Sequence, residues 1–177
     1  MKRIPYWSWM TAAGLAESGV IVEYLEDKFP TPSFRPQSPE ACARMRFLIQ
    51  VADIYLMQAL LPLFHLFDAK ERDMAAIEQQ LGKLDIGFMQ VNDLRTDNTY
   101  ADGNRLSLAD IWLMPVRFTI DGLMGFSGRK TLLDRYKRLA GYRDVINGDP
   151  TLKRVWQEME EGLKAFTASR AEAAKAS

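Results

Sequence analysis

The stretch Leu106-Ser107-Leu108-Ala109-Asp110-Ile111-Trp112-Leu113-Met114-Pro115 decides the fold of this chain. Ser107 can accept a hydrogen bond from a backbone N–H near Asp110, and the Asp110 carboxylate can reach back to the N–H of Ser107. The pair is a capping box in which aspartate takes the usual place of glutamate. Pro115 lies inside the helix that this box starts, where it removes one backbone hydrogen bond and bends the helix. The stretch therefore predicts a kinked helix with a sharply defined start.

Two other helix starts are equally explicit. Ser38-Pro39-Glu40 combines a serine N-cap, a proline at the first helical position and an acid in the first turn. Asp149-Pro150 repeats this start, and Asn147-Gly148 before it is a helix stop. Apolar residues recur at helical spacing between these signals. The expected helices cover 17–29, 38–68, 74–91, 106–126, 129–146 and 150–167.

The apolar pattern also predicts which side chains face the core. On the long helix that begins after Ser38 they are Phe47, Leu48, Val51, Ile54, Tyr55 and Leu61. On the last helix they are Leu152, Val155, Trp156, Met159 and Leu163. The long helix is apolar enough to be weighed as a membrane span, but Asp53 would then lie inside the bilayer at a large free-energy cost. A buried core helix is the better interpretation.

A cluster of prolines divides the chain. Pro30, Pro32 and Pro36 stand close together among small polar residues, which is typical of a linker. The expected organisation is a short amino-terminal piece, a linker, a helical domain and a flexible tail rich in Ala, Glu, Lys and Ser. These regions cover 1–29, 30–37, 38–167 and 168–177.

The composition excludes several kinds of partner. Lys and Arg number 23, as do Asp and Glu, so the net charge of zero gives no general attraction to nucleic acid or to anionic membranes. The chain has one histidine, His65, and one cysteine, Cys42, which lie more than six helical turns apart. They cannot form a His/Cys metal cluster, so no metal is expected. A single cysteine also suits a reducing compartment such as the cytoplasm.

Three motifs in register resemble the glutathione S-transferase superfamily. The first is the capping box and proline-kinked helix quoted above. The second is Glu17-Ser18 with the helix that follows it to Phe29 and Pro30, and the third is the Asp149-Pro150 helix start. The resemblance covers nearly the whole chain and implies a mostly α fold. That fold is the all-helical carboxy-terminal bundle of the family, preceded by a truncated fragment of its thioredoxin-like domain.

The resemblance implies a glutathione site in the amino-terminal piece. In this family a Glu-Ser pair holds the γ-glutamyl end of glutathione, which assigns that role to Glu17 and Ser18. A cis proline binds the cysteinyl part, and Ile4-Pro5 stands at about the expected distance before Glu17. The stretch between Tyr6 and Ala13 departs from the family pattern, because the usual Gly, Asp or Asn turn between two strands is missing.

The rest of the activity follows from the same resemblance. The family conjugates glutathione to small, largely apolar electrophiles in cytoplasmic detoxification, and its members form homodimers through the helices that follow Ser38 and Ala69 here. Phe47 and Tyr55 are candidates for the acceptor pocket. The serine, tyrosine or cysteine that activates the glutathione thiol belongs to strands and helices absent from this sequence, so the catalytic residue is unknown and weak or no catalysis is expected. The alternative is a non-catalytic helical interaction module.

Overall fold

The structure is a computed structural model that describes residues 6–7, 15–95 and 99–175. Its elements fall into two compact units, residues 1–42 and 43–177, with helix α2 running across the division. The strands are β1 (Tyr6–Trp7) and β2 (Leu15–Ala16). The helices are α1 (Ser18–Lys28), α2 (Pro39–Gln50), a π-helical segment (Val51–Met57), α3 (Gln58–Asp68), α4 (Met74–Leu94), α5 (Leu108–Ser127), α6 (Lys137–Gly148) and α7 (Pro150–Lys175).

The first unit begins with a short antiparallel pair of strands. Tyr6 pairs with Ala16 and Trp7 pairs with Leu15, so one strand lies on each side of the stretch that departs from the family pattern. Residues 8–14, which carry the unusual turn sequence, lie outside the described part of the chain. Helix α1 follows β2 directly and has the position predicted for the 17–29 helix.

Polar contacts fasten the segment after α1 back onto that helix. Glu26 is only 7% exposed, and its carboxylate accepts hydrogen bonds from Ser33 Oγ (2.9 Å) and the Phe34 N–H (3.1 Å). Arg35 forms ion pairs with Glu23 and Asp27 on the same helix. A buried carboxylate is stable only when it is hydrogen-bonded, so Glu26 fixes the course of the chain around residues 33–34.

The second unit has one helical core. The π-helical segment and α3 both pack against α4 and α5, while α6 and α7 pack together and reach α4 and α5 respectively. The core is formed by fully buried aliphatic and aromatic side chains, among them Leu56, Leu60, Leu84, Leu113, Ile120 and Tyr142. The order of the helices agrees with the mostly α bundle predicted from the sequence.

The helix after Ser38 begins and ends where the sequence predicted, but the predicted set of core-facing side chains was partly wrong. Leu48 and Val51 are buried, whereas Phe47, Ile54, Tyr55 and Leu61 are between 44% and 56% exposed. For Ile54, Tyr55 and Leu61, which lie in or after it, the reason is the seven-residue π-helical segment in mid-helix. Its i→i+5 hydrogen bonds change the angular spacing of side chains, so a pattern of 3.6 residues per turn misplaces the face.

The long helix also has the composition of a membrane span. Residues Pro39–Asp68 are long and apolar enough to cross a bilayer, with 39% of the most apolar window buried. The core helices of soluble proteins meet the same criterion. Because this helix packs against α4 and α5, one such segment within the described ranges does not indicate a membrane protein.

The fourth predicted domain helix begins later than expected. The sequence predicted a helix over 129–146, but α6 starts at Lys137, and residues 130–135 form turns. Gly128 in a left-handed conformation (φ 73°) ends α5, and the chain then turns until Tyr136. Tyr136 lies with its ring centroid 5.5 Å from that of Phe88 and donates its hydroxyl to Asp85 Oδ1 (2.5 Å).

The last helix starts as predicted and continues further. Asp149 Oδ1 accepts from the N–H groups of Thr151 (2.8 Å) and Leu152 (2.9 Å), which is an N-cap. Leu163, predicted to face the core, is 46% exposed. Helix α7 extends to Lys175 through residues assigned to a flexible tail, because Ala, Glu, Lys and Arg are strong helix formers. Flexibility of that segment remains a prediction.

Candidate functional site

The predicted γ-glutamyl site lies at the start of α1. Glu17 precedes the first helical residue and adopts φ 70° and ψ 123°, the only positive φ of a non-glycine residue in the described part of the chain. A left-handed backbone at such a residue stores about 1–3 kcal/mol of strain and often marks a functional position. The Glu17 side chain is exposed and makes no capping hydrogen bond to α1, so the carboxylate can receive a ligand.

Ser18 is the first residue of α1 and is exposed. The first amides of a helix have no intrahelical acceptor, and Ile21 is the first whose N–H is bonded, to the Glu17 carbonyl (3.0 Å). Together with the positive end of the helix dipole, these N–H groups and the serine hydroxyl favour an anion. Glu17 and Ser18 thus place an anionic group beside an anion-binding helix end, which is suited to a zwitterionic ligand such as an α-amino acid.

The other predicted glutathione residues, Ile4 and Pro5, lie outside the described residues. Their role stays a prediction.

The two acceptor-pocket candidates have different surroundings. Phe47 is 53% exposed and Tyr55 is 44% exposed. Tyr55 lines a groove of about 380 Å³ in the second unit, between the π-helical segment with α3 on one side and α4 on the other. Phe47 does not belong to the lining of that groove.

The remaining reactive side chains have ordinary roles. Cys42 donates its thiol hydrogen to the Pro36 carbonyl (3.1 Å), and His65 is an exposed residue in the last turn of α3. Among the residues that the structure describes, no group of three His, Cys, Asp or Glu side chains lies close enough to hold a metal ion.

The capping box at α5 is part of a larger buried network. The Oδ2 atom of Asp110 accepts from Ser107 N (3.0 Å) and Ser107 Oγ (3.1 Å), and its Oδ1 accepts from Ala101 N (2.8 Å) and the Tyr142 hydroxyl (2.9 Å). Asp110 is 0% exposed. Burial raises the pKa of this carboxyl, although the four hydrogen bonds oppose the rise. The box therefore joins the loop before α5, the start of α5 and α6.

Two buried arginines were not predicted from the sequence. Arg95 lies with its guanidinium 4.6 Å from the centroid of the Tyr142 ring, and burial lowers its pKa. Arg117 forms an ion pair with Asp121; burial first, and the nearby Arg143 second, lower the pKa of Arg117 to about 10. Both stay charged at neutral pH, so they act as structural cations and not as acids or bases. An isolated Arg in an amphipathic pattern gives no signal that it will be buried.

Comparison with known proteins identifies the fold. No protein-family profile matches the sequence, and no curated protein sequence matches it. Solved structures do match. A glutathione S-transferase from the mosquito Anopheles dirus species B superposes with a TM-score of 0.75 and 20% identity, over 94% of this chain and 76% of that one.

Two bacterial structures agree with this match. A glutathione S-transferase from Methylobacterium radiotolerans, in complex with glutathione sulfonate, has a TM-score of 0.68 and 21% identity over 86% of this chain and 71% of its own. A maleyl pyruvate isomerase, described as a zeta-class bacterial glutathione S-transferase, has a TM-score of 0.65 and 23% identity, with coverages of 86% and 72%. At these identities the comparison establishes the fold and leaves activity and ligand to be argued from the site.

Proposed function

We propose that this chain, which has the fold of glutathione S-transferases, binds glutathione through Glu17 and Ser18. The observation that carries the proposal is the exposed Glu17–Ser18 pair at the start of α1, with Glu17 held at φ 70° and its carboxylate not used for capping. Two of the similar structures contain glutathione or its sulfonate. Their ligands support glutathione as the molecule to test.

The chemistry of the γ-glutamyl group fits this pair. Its α-ammonium is a cation that the Glu17 carboxylate can bind through a charge-assisted hydrogen bond. Its α-carboxylate is an anion that the Ser18 hydroxyl and the first N–H groups of α1 can bind. The α-ammonium and the α-carboxylate are attached to the same carbon atom of the ligand. Their proposed partners, Glu17 and Ser18, are likewise adjacent in the chain.

The finer parts of the function follow as expectations from the fold. The second substrate is expected to be a small apolar electrophile, with Phe47 and Tyr55 near it, and the setting is cytoplasmic detoxification. Exposed apolar side chains on the helices 39–68 and 74–94, among them Leu61 and Met89, support a homodimer formed through these helices. We assign no thiol-activating residue among the 177 residues and therefore expect weak or no conjugation by the chain alone.

Binding of S-methylglutathione, measured by isothermal titration calorimetry, tests the proposal. The thiol of this probe is blocked, so binding does not depend on thiol activation. Replacing Glu17 with glutamine removes the charge but keeps the shape, and loss of one charged hydrogen bond should weaken binding about tenfold. Glu40→Gln, which removes an exposed acid from the first turn of α2, is the matched control and should bind like the wild-type chain.

The alternative function is a non-catalytic helical interaction module. Absence of S-methylglutathione binding, or equal binding by wild type and Glu17→Gln, would refute the proposed site. Such a result, combined with a stable folded chain, would favour the module.

A further inference from the structure

Two arginines on different helices of the second unit share one aspartate. Arg117 in α5 forms an ion pair with Asp121, one turn further along the same helix. The Nε atom of Arg143 in α6 lies 3.9 Å from the other oxygen of that carboxylate. These three side chains together carry one excess positive charge, and the proposed glutathione function uses none of them.

Both guanidinium groups keep a buried N–H without an acceptor. Arg117 is only 7% exposed, and its Nε atom has no hydrogen-bond partner among the described residues. The same holds, over the same part of the chain, for the Nη1 atom of Arg143. Folded proteins rarely leave a buried donor unpaired, because the loss of its hydrogen bond to water is not repaid. An additional acceptor is therefore expected between the two arginines.

An aromatic side chain holds Arg143 in position. Its guanidinium carbon lies 3.6 Å from the centroid of the Trp156 ring in α7. Trp156 is itself 4% exposed and packs edge-on against Phe118 of α5, with 5.0 Å between the ring centroids. Cation–π attraction to a ring face engages no hydrogen-bond acceptor, so it orients the guanidinium group and leaves its N–H groups available.

The cluster is open to solvent on one side. The side chains of Arg143 and Asp121 are 29% and 31% exposed, so a small ligand can reach them with a limited movement of Arg143. One further charge lies nearby. Burial lowers the pKa of Arg143, and the negative charge of Glu160 opposes this effect. The Oε1 atom of Glu160 accepts from the Trp156 indole N–H at 2.8 Å.

We propose that Arg117 and Arg143 bind a phosphoryl group where α5, α6 and α7 meet. Guanidinium groups pair with phosphate oxygens through charge-assisted hydrogen bonds of matching geometry. A phosphoryl group offers three oxygens, so it can accept from both arginines while Asp121 keeps its place. Its negative charge also balances the excess positive charge. All of these residues lie within 43–177, so the inference is independent of the glutathione proposal.

Thermal unfolding in phosphate tests this inference. Sodium phosphate is compared with sodium chloride at equal pH and ionic strength, so that general screening is the same. A ligand of the folded chain should raise Tm by about 3–5 °C for each tenfold increase in concentration above its Kd. Glycerol 3-phosphate is the second probe. A larger rise with this monoester would assign a phosphorylated small molecule as the ligand, and an equal or smaller rise would assign free phosphate.

Three variants locate the site. Arg143→Gln removes one guanidinium group and should weaken phosphate binding about tenfold. Arg154→Gln, which removes an exposed arginine of α7, is the matched control and should bind phosphate like the wild-type chain. Glu160→Gln removes the nearby negative charge but keeps an acceptor for the Trp156 indole. It should strengthen phosphate binding about threefold.

Three results would overturn the proposal. The first is equal Tm in phosphate and chloride, and the second is equal stabilisation of wild type and Arg143→Gln by phosphate. The third is equal stabilisation by sodium acetate, because the site would then not select a phosphoryl group. A ¹⁵N spectrum titrated with phosphate gives an independent check. The Nε–H signal of Arg117 and the indole signal of Trp156 should shift, whereas shifts confined to the start of α1 would place phosphate at the glutathione site and refute this one.

Discussion

Replacement of Asp110 by alanine removes the one acceptor shared by three structural elements. In the wild-type chain its carboxylate accepts from Ala101 N, Ser107 N and the Tyr142 hydroxyl at 2.8 to 3.0 Å. Ser107 and Tyr142 are both almost fully buried, as is Ala101. Water therefore cannot replace the lost acceptor without a local opening of the structure.

The expected loss of stability follows from these three donors. A buried donor left without an acceptor destabilises a fold by about 1–3 kcal/mol, while the variant no longer buries a carboxylate, which offsets part of the loss. We expect a net loss of about 3–5 kcal/mol in the free energy of unfolding. At about 2–4 °C per kcal/mol for a chain of this size, Tm should fall by roughly 10 °C.

Urea unfolding followed by circular dichroism at 222 nm measures this loss. Asp144→Ala is the matched control, because Asp144 is an exposed aspartate in α6, and its effect should stay within about 0.5 kcal/mol. If Asp110→Ala lost no more stability than Asp144→Ala, the buried network would not be the element that joins the loop, α5 and α6.

Three further predictions concern other parts of the helical unit. Gly87→Ala should destabilise the chain by about 1–3 kcal/mol, because the new methyl group would collide with the buried Leu56. Gly82→Ala, which has open space at its Cβ, should stabilise the chain by about 0.5–1 kcal/mol. Urea unfolding measures both changes. Burial raises the pKa of Asp110, so the folded state favours the protonated carboxyl. The stability that this preference contributes is present below the ordinary pKa of 3.8 and is lost as pH rises through the raised pKa. The difference in unfolding free energy between wild type and Asp110→Ala should therefore be larger near pH 4 than near pH 7. The hydrogen bond from the Leu152 N–H, with that from the Tyr100 hydroxyl, lowers the pKa of Asp149. The stability that the ionised Asp149 contributes is therefore present above pH 3.8 and is lost as pH falls through the lowered pKa. Asp149→Ala should lose about 1 kcal/mol of unfolding free energy at neutral pH, and this loss should vanish in strong acid.

The sequence predicted most of the helical unit because its signals are local. Capping residues such as Ser38 and Asp149 satisfy backbone groups within three residues, so their effect can be read without knowledge of tertiary contacts. The predicted start of α6 was wrong because it depends on contacts between residues that are distant in the sequence. The chain between Gly128 and Tyr136 turns where Tyr136 contacts Phe88 and Asp85, more than forty residues away in the sequence, and no local pattern reports such a contact.

Of the two candidate sites, the sequence predicted the one at Glu17 and Ser18 and did not predict the groove. Glu17 and Ser18 were found because a resemblance to a known family placed them, and the positive φ of Glu17 became visible only in the structure. The groove that Tyr55 lines, between the π-helical segment and α4, was not predicted from the sequence. Its shape depends on the π-helical segment and on the close approach of that segment to α4 at Gly87. Neither feature leaves a signal in the hydrophobic pattern of the sequence.

The central claim is that the start of α1 binds the γ-glutamyl group, and amide chemical shifts test it most directly. In a ¹⁵N heteronuclear spectrum titrated with S-methylglutathione, the N–H signals of Ser18, Gly19 and Val20 should move together and saturate. The dipeptide Cys-Gly, which lacks the γ-glutamyl group, should leave them unmoved. Shifts confined to other residues, or equal shifts with Cys-Gly, would contradict the assignment of this site.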